Sequence, residues 1–176
     1  MLHKCDNITL LSIFFKEPTR EFNLRELART MRWGPGRVER NIELYTKNGI
    51  IIKEQTNIVN KYKANTDSQS FKSLKLLYTL DIFLEISEEL EKELLYPEAI
   101  ILFGSASKGE DTEKSDIDIC IIGNEKKVNL KDIEKQLNRK VHIIFLPPKE
   151  VAKAKKEFLN NLINGIVLKG YLKVLQ

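Results

Sequence analysis

Two aspartates one residue apart, Asp116 and Asp118, open an apolar run in the stretch GSASKGEDTEKSDIDICII, which runs from Gly104 to Ile122. Along a β-strand, side chains two apart leave from the same face, so this spacing sets two carboxylates side by side. Such charges repel unless a cation lies between them. Hard oxygen donors of this kind suit Mg²⁺, which takes one or two protein carboxylates and completes its shell with water and phosphate oxygens. Just upstream, Gly104 and Ser105 leave the strand-like run AIILF. A glycine-serine turn there offers backbone N–H groups and a hydroxyl at the level where phosphates would lie. Taken alone, Asp-x-Asp is more often a polar strand end; the combination of turn, loop and paired acids carries the reading.

The elements that must position these residues follow from the pattern around them. AIILF and DIDICII read as strands and NLKDIEKQLNR as a helix capped by Asn129, with VHIIFL a third strand. KEVAKAKKEFLNNLIN reads as a further helix and GIVLKG as a short closing strand. Strands alternating with helices predict a small α/β (α+β) domain over residues 98–176.

With those elements placed, the order GS, ten residues, then DID resembles the signature of the DNA polymerase beta superfamily of nucleotidyltransferases, and most closely its small, minimal branch. Gly104, Ser105, Lys108, Gly109, Glu110, Ser115, Asp116 and Asp118 match that branch in order. The resemblance implies a small nucleotidyltransferase fold with a mixed sheet. It also implies that Gly104, Ser105, Lys108 and Ser115 bind the nucleotide, with ATP the expected triphosphate. Asp116 and Asp118 become the metal-holding, catalytic pair, for Mg²⁺ or Mn²⁺. The family carries a third carboxylate on the next strand, and here KVHIIF puts His142 in its place. Histidine is a neutral, softer donor and a poorer one for Mg²⁺. His142 therefore reads as a general base, as a selector of a softer metal, as the mark of a site that binds nucleotide without transferring it, or simply as a solvent-facing strand end.

Residues 1–66 carry a second pattern. DNITLLSIFFKEP is an apolar-faced helix with a cap at Asp6 or Asn7. NLRELARTM opens on a capping box of Asn23 and Glu26, and GPGRVERNIELYTKNG begins at Pro35 and stops at Asn48-Gly49. IIIKEQTNIVNKYKAN then reads as a hairpin turning near Gln55 to Asn57. This order resembles a winged helix-turn-helix domain, and the resemblance implies DNA binding with the third helix in the major groove. Arg32, Arg37 and Arg40 are then the groove-side residues, and Lys53, Lys61 and Lys63 the phosphate contacts on the wing. The plainer alternative is a solvated charged face, with Trp33 a packing plug.

Charge supports three segments. Residues 1–66 hold 12 Lys and Arg against 7 Asp and Glu, whereas residues 67–97 hold 3 against 7. The first is the place for a nucleic-acid surface. The second lacks internal Gly and Pro and predicts a helical linker whose surplus apolar residues pack between modules or form a homodimer. Its run Glu88, Glu89, Glu91 and Glu93 reads as solvated helix face.

Several classes are disfavoured. No apolar run approaches the roughly 20 residues of a membrane helix, and a cytoplasmic location without membrane contact is expected. Cys5 and Cys120 form no disulfide framework or zinc spacing. There is no Gly-x4-Gly-Lys-Ser/Thr phosphate loop and no readable hydrolase triad.

Three functions follow. In the first, the protein moves a nucleotide, expected to be AMP, onto a hydroxyl of a partner while its N-terminal domain regulates transcription. The resemblance suggests an antitoxin that adenylylates a HEPN-domain toxin. In the second, it is a transcriptional regulator that senses nucleotide through a weakened transferase site, a reading His142 favours. In the third, it is a protein-binding scaffold.

Overall fold

The computed structural model describes residues 6–55 and 59–174. They form two compact units, Met1–Tyr78 and Thr79–Gln176.

The first unit begins with α1 (Asp6–Lys16), β1 (Phe22–Asn23), α2 (Leu24–Met31) and α3 (Pro35–Lys47), followed by β2 (Ile51–Glu54) and β3 (Lys61–Ala64). Its core gathers Leu10, Leu11, Phe14 and Phe15 of α1 with Leu27, Val38, Ile42, Ile51 and Tyr62, all buried. Asn23 caps α2 as the sequence predicts, its Oδ1 accepting from the Glu26 N–H at 2.9 Å, while the Glu26 carboxylate pairs with Arg20. Pro35 is the first residue of α3, and Gly49, at φ +66°, follows its end. The two-residue β1 escapes the sequence pattern, because it is too short to show alternation. It adds an edge to a sheet of order β1-β3-β2, and Phe22 stacks edge-on against Phe14. Of the predicted hairpin turn, Thr56 and Asn57 lie outside the described residues, as does Cys5.

The predicted linker is one helix, α4 (Gln69–Glu93), and the division between units falls within it. Its first half belongs to the first core, where Phe71 and Tyr78 each lie 5.4 Å from the Phe15 ring. Its second half puts Phe83, Ile86 and Leu90 into the second core. The expected apolar surplus is visible within the units, with Leu77 and Leu84 about half exposed.

The second unit is a mixed four-stranded sheet of order β6-β5-β4-β7. β4 (Ala99–Phe103) runs antiparallel to β5 (Ile117–Ile122) and to β7 (Ile166–Gly170), and β5 runs parallel to β6 (Val141–Leu146). Both faces are covered, so the central strands are apolar almost throughout. Ile100, Leu102, Ile117, Ile119 and Ile121 face α4 and α5 (Lys131–Leu137), whereas Ala99, Ile101, Phe103, Cys120 and Ile122 face Val151 and α6 (Lys156–Ile163).

Two boundaries differ from expectation. Leu130, not Asn129, is the cap residue of α5, although Asn129 Oδ1 still accepts from the Lys131 N–H at 3.3 Å. The helix predicted from Lys149 to Asn164 is split. Pro148–Lys153 is a 3₁₀ turn whose Val151 is buried, Ala154 is extended at ψ 153°, and α6 then begins afresh. Val151 and Leu162, eleven residues apart, keep one helical face, so the apolar spacing does not show the break at Ala154.

Cys120 is buried and reduced, and burial pushes its thiol up to about 12. In a Cys5→Ser chain, a thiol-specific reagent at pH 8 is expected to label nothing until the protein is unfolded. Because the folded value lies above the ordinary one of 9.0, this thiol's contribution to stability is complete below pH 9 and is lost as pH rises toward 12. Prompt labelling of the folded chain would contradict this packing.

Candidate nucleotide site

The two aspartates sit where the sheet's covered face runs out. Asp116 directly precedes β5 and is exposed, and Asp118 is its second residue, on the face shared with Cys120 and Ile122. The carboxylates thus occupy the end of a strand whose later positions on that face are core. This resolves why charge is tolerated at the start of an otherwise apolar run.

β4 delivers the phosphate-facing turn to the same end, because Phe103 pairs with Asp118 in register. Gly104 then turns at φ +73°, a conformation that side chains rarely adopt. A Cβ on Gly104 would stand 2.6 Å from Asp118 Oδ2, so the backbone turn and the carboxylate are in close approach. Ser105 begins a short 3₁₀ turn, Ala106–Lys108. Ser107 Oγ donates to the Gly104 carbonyl at 2.8 Å, and the Glu110 N–H donates to the Ser105 carbonyl at 3.0 Å. These bonds fix the loop. Ser105 is half-buried and Lys108 exposed.

His142 lies where the sequence puts it. In the parallel β5–β6 pair, Asp118 is in register with His142, and His142 Nδ1 stands 3.5 Å from Asp118 Oδ1, with the imidazole 63% exposed. It occupies the neighbouring-strand position beside Asp118, at the solvent-facing start of β6.

Ser115 differs from the role drawn for it. Its Oγ accepts from the Thr112 N–H at 2.9 Å and lies 3.2 Å from the Thr112 hydroxyl. The hydroxyl closes the Thr112–Ser115 turn and so positions Asp116, instead of pointing freely at a ligand.

Sequence reasoning missed the strut beneath this loop. Arg139, just before β6, donates from Nη1 to Asp111 Oδ2 at 2.8 Å, and both side chains are over nine-tenths buried. The pair ties the 104–116 loop to the turn that feeds His142. No local pattern links residues 28 apart. Asp111 is thereby committed and does not stand in for a third carboxylate at the metal.

A divalent metal can be tested against the donors present. Asp116 and Asp118 are the hard oxygen donors at this end of β5, and the Gly104 turn leaves room against Asp118 that a Cβ would fill. Among the described residues, no group of three or more His, Cys, Asp or Glu is arranged to ligate a metal. The set fits one cation held by two carboxylates, with the remaining positions for phosphate oxygens and water.

The basic residues assigned to nucleic acid fare unevenly. Arg32 precedes α3 and is the left-handed C-cap of α2, at φ 53°. Arg37 and Arg40 are exposed on the first turns of α3, but the Arg37 guanidinium lies 3.9 Å over the Trp33 ring. Trp33 is half-buried, with that guanidinium packed on its ring. The wing lysines do not share one surface. Lys53 pairs across the ribbon with Tyr62, on the core-side face, whereas Lys61 and Lys63 flank Tyr62 and take the other. Lys61 is bound to Glu21 at 2.5 Å, and Lys63 to Glu54. The Glu21 carboxyl is held below its usual value by that hydrogen bond.

Comparison with known proteins bears on the second unit. Residues 81–164 match the family model of the nucleotidyltransferase domain. This supports the superfamily assignment for that segment, together with nucleotide transfer as its general chemistry, and such domains generally use a nucleoside triphosphate and a divalent metal. No curated protein matches the chain. A solved structure of a possible transcriptional regulator from Methanosarcina mazei Go1 is similar at 16% identity, covering 49% of this chain and 75% of that one with a TM-score of 0.36. At that score the likeness carries no argument. Among the described residues, no helix is long and apolar enough to cross a membrane.

Proposed function

We propose that the second unit binds a nucleoside triphosphate, with ATP the expected one, and transfers its nucleotidyl group to a hydroxyl of a partner molecule. The observation that carries this reading is the contact of the Gly104 turn with the Asp118 carboxylate, which joins a phosphate-binding backbone to a metal-binding side chain. Gly104 and Ser105 present backbone N–H groups to the β- and γ-phosphates, and Lys108 adds positive charge from the open side. Asp116 and Asp118 would hold a single Mg²⁺ or Mn²⁺, which when bound neutralises charge on the phosphates. The acceptor oxygen forms a bond to the α-phosphorus as the bond from that phosphorus to the β-bridging oxygen breaks. Pyrophosphate leaves with the electron pair, and the hydroxyl proton is released to water. Incubation with ATP labelled at the α-phosphate, in an extract of the source cells, is expected to label an acceptor, whereas γ-labelled ATP leaves it unlabelled. Transfer of the γ-label would sink the reading.

A second reading rests on His142. With a neutral donor in register with Asp118, the site holds its metal less firmly on the acceptor side, which suits a sensor that binds nucleotide and transfers it slowly. His142→Asp supplies the missing carboxylate and is expected to raise Mg²⁺-dependent transfer by about 10-fold or more. A fall in transfer would instead show that the imidazole itself serves the reaction.

For the first unit we infer a winged helix-turn-helix that binds DNA. The reading is supported by the element order α1-β1-α2-α3-β2-β3 and by the exposed Arg40 at the start of α3. Together the units suit a protein that couples nucleotide chemistry to transcription. An adenylylated HEPN-type toxin is one acceptor the labelling experiment would identify.

A further inference from the structure

The sequence-derived nucleic-acid contacts include Arg32 but leave out Arg25 and Arg29, which are exposed beside it in the first unit. Arg25 and Arg29 stand one turn apart on α2, and Arg32 is its left-handed C-cap; all three are exposed. They form a row because all three line one hollow. None of the three has an ion-pair partner among the described residues, in contrast to Arg20, Lys61 and Lys63, each of which is bound to a glutamate. Like charges at this spacing repel and cost the isolated helix some stability.

The row is flanked by two concave surfaces. One is lined by Arg25, Ala28, Arg29, Arg32, Trp33 and Pro35. The other is bounded by Asn23, Leu24, Val59 and Asn60, with Arg25 and Arg29 shared. Both hollows open on the arginines, and no carboxylate lines either.

We propose that this row is the phosphate-backbone clamp of the protein for duplex DNA, displacing Lys61 and Lys63 from that role. It rests on the DNA-binding reading of the first unit and names which surface does the binding. Unpaired cations release the polyanion's counterions on binding, whereas a lysine already neutralised by a carboxylate contributes little net charge. Arginine also matches phosphate oxygens with two parallel N–H donors. A duplex fits better than a single strand, because single-strand binding draws on successive aromatic rings and the two hollows hold one, Trp33, with a face already under Arg37.

The test is fluorescence anisotropy of the full chain with a labelled mixed-sequence 30-base-pair duplex, read as the slope of log affinity against log salt. Replacing Arg25, Arg29 and Arg32 by alanine is expected to flatten the slope by about one per residue, whereas Arg→Lys at the same positions keeps it. Lys61→Ala with Lys63→Ala leaves it where it was. An unchanged slope in the arginine variant, or an equal flattening in the lysine variant, overturns the clamp while leaving DNA binding intact. Absence of duplex binding by the wild type at low salt overturns the DNA reading itself, and tighter binding to a single strand of the same length overturns the choice of duplex. Because all five positions are at the surface, matching thermal melts show that the variants fold.

Discussion

Gly104→Ala is expected to lower nucleotide transfer by about 100-fold while leaving the protein folded. A methyl group there would stand 2.6 Å from Asp118 Oδ2, well inside contact distance, so the carboxylate must swing away from the turn. Displacing a reacting or metal-holding group by even about 1 Å can cost that factor. The left-handed backbone adds about 1–2 kcal/mol of strain for a residue with a Cβ, a loss a two-unit protein with an extensive sheet core survives. The readouts separate cleanly: urea unfolding followed by circular dichroism should move little, and labelled-nucleotide transfer should fall. Transfer at the wild-type rate would mean that the Gly104 turn and Asp118 do not act together on the substrate.

The largest stability effect is expected at Arg139. Its partner Asp111 is 95% buried by side chain and Arg139 is nearly as enclosed, so Arg139→Ala leaves a carboxylate stranded without its guanidinium. Breaking a buried pair from one side costs about 3–5 kcal/mol. The double change Asp111→Leu with Arg139→Met removes both charges at similar volume and is expected to recover most of that loss. Urea melts of the full chain measure both, in the transition assigned to the second unit. A loss below about 1 kcal/mol for Arg139→Ala, the range of an exposed pair, would show that the strut is solvated. Because the pair also ties the 104–116 loop to the entry of β6, the single variant should lose the proposed transfer before it unfolds.

The legible parts of this protein were those written in local spacing. Asn23 and Glu26 announced the start of α2, Pro35 and Gly49 bracketed α3, and the strands on either side of the loop brought the Gly104 turn to Asp118. His142 was singled out by the family resemblance, and its register with Asp118 is set by the parallel β5–β6 pairing. The arginine row Arg25, Arg29 and Arg32 also had a helical period and could have been found by asking which charges lacked a nearby acid. Other features had no local signal. The Arg139–Asp111 strut depends on a contact between loops, Ser115's hydroxyl is consumed by a turn that only folding defines, and the opposite facing of Lys53 from Lys61 and Lys63 follows from hairpin register. That Arg32 caps α2 in a left-handed conformation without glycine also has no signal in the sequence. The two halves of α4 joined different cores, which a continuous helical period cannot reveal.

The most direct measurement is an isothermal titration of ATP into the full chain with and without Mg²⁺, repeated on Asp116→Asn with Asp118→Asn. Saturable binding at one site that requires the metal, and that weakens by at least about 10-fold in the double variant, is the predicted result. Binding that is indifferent to metal, or equal in the wild type and the variant, would contradict the assignment of these carboxylates and of the site built on them.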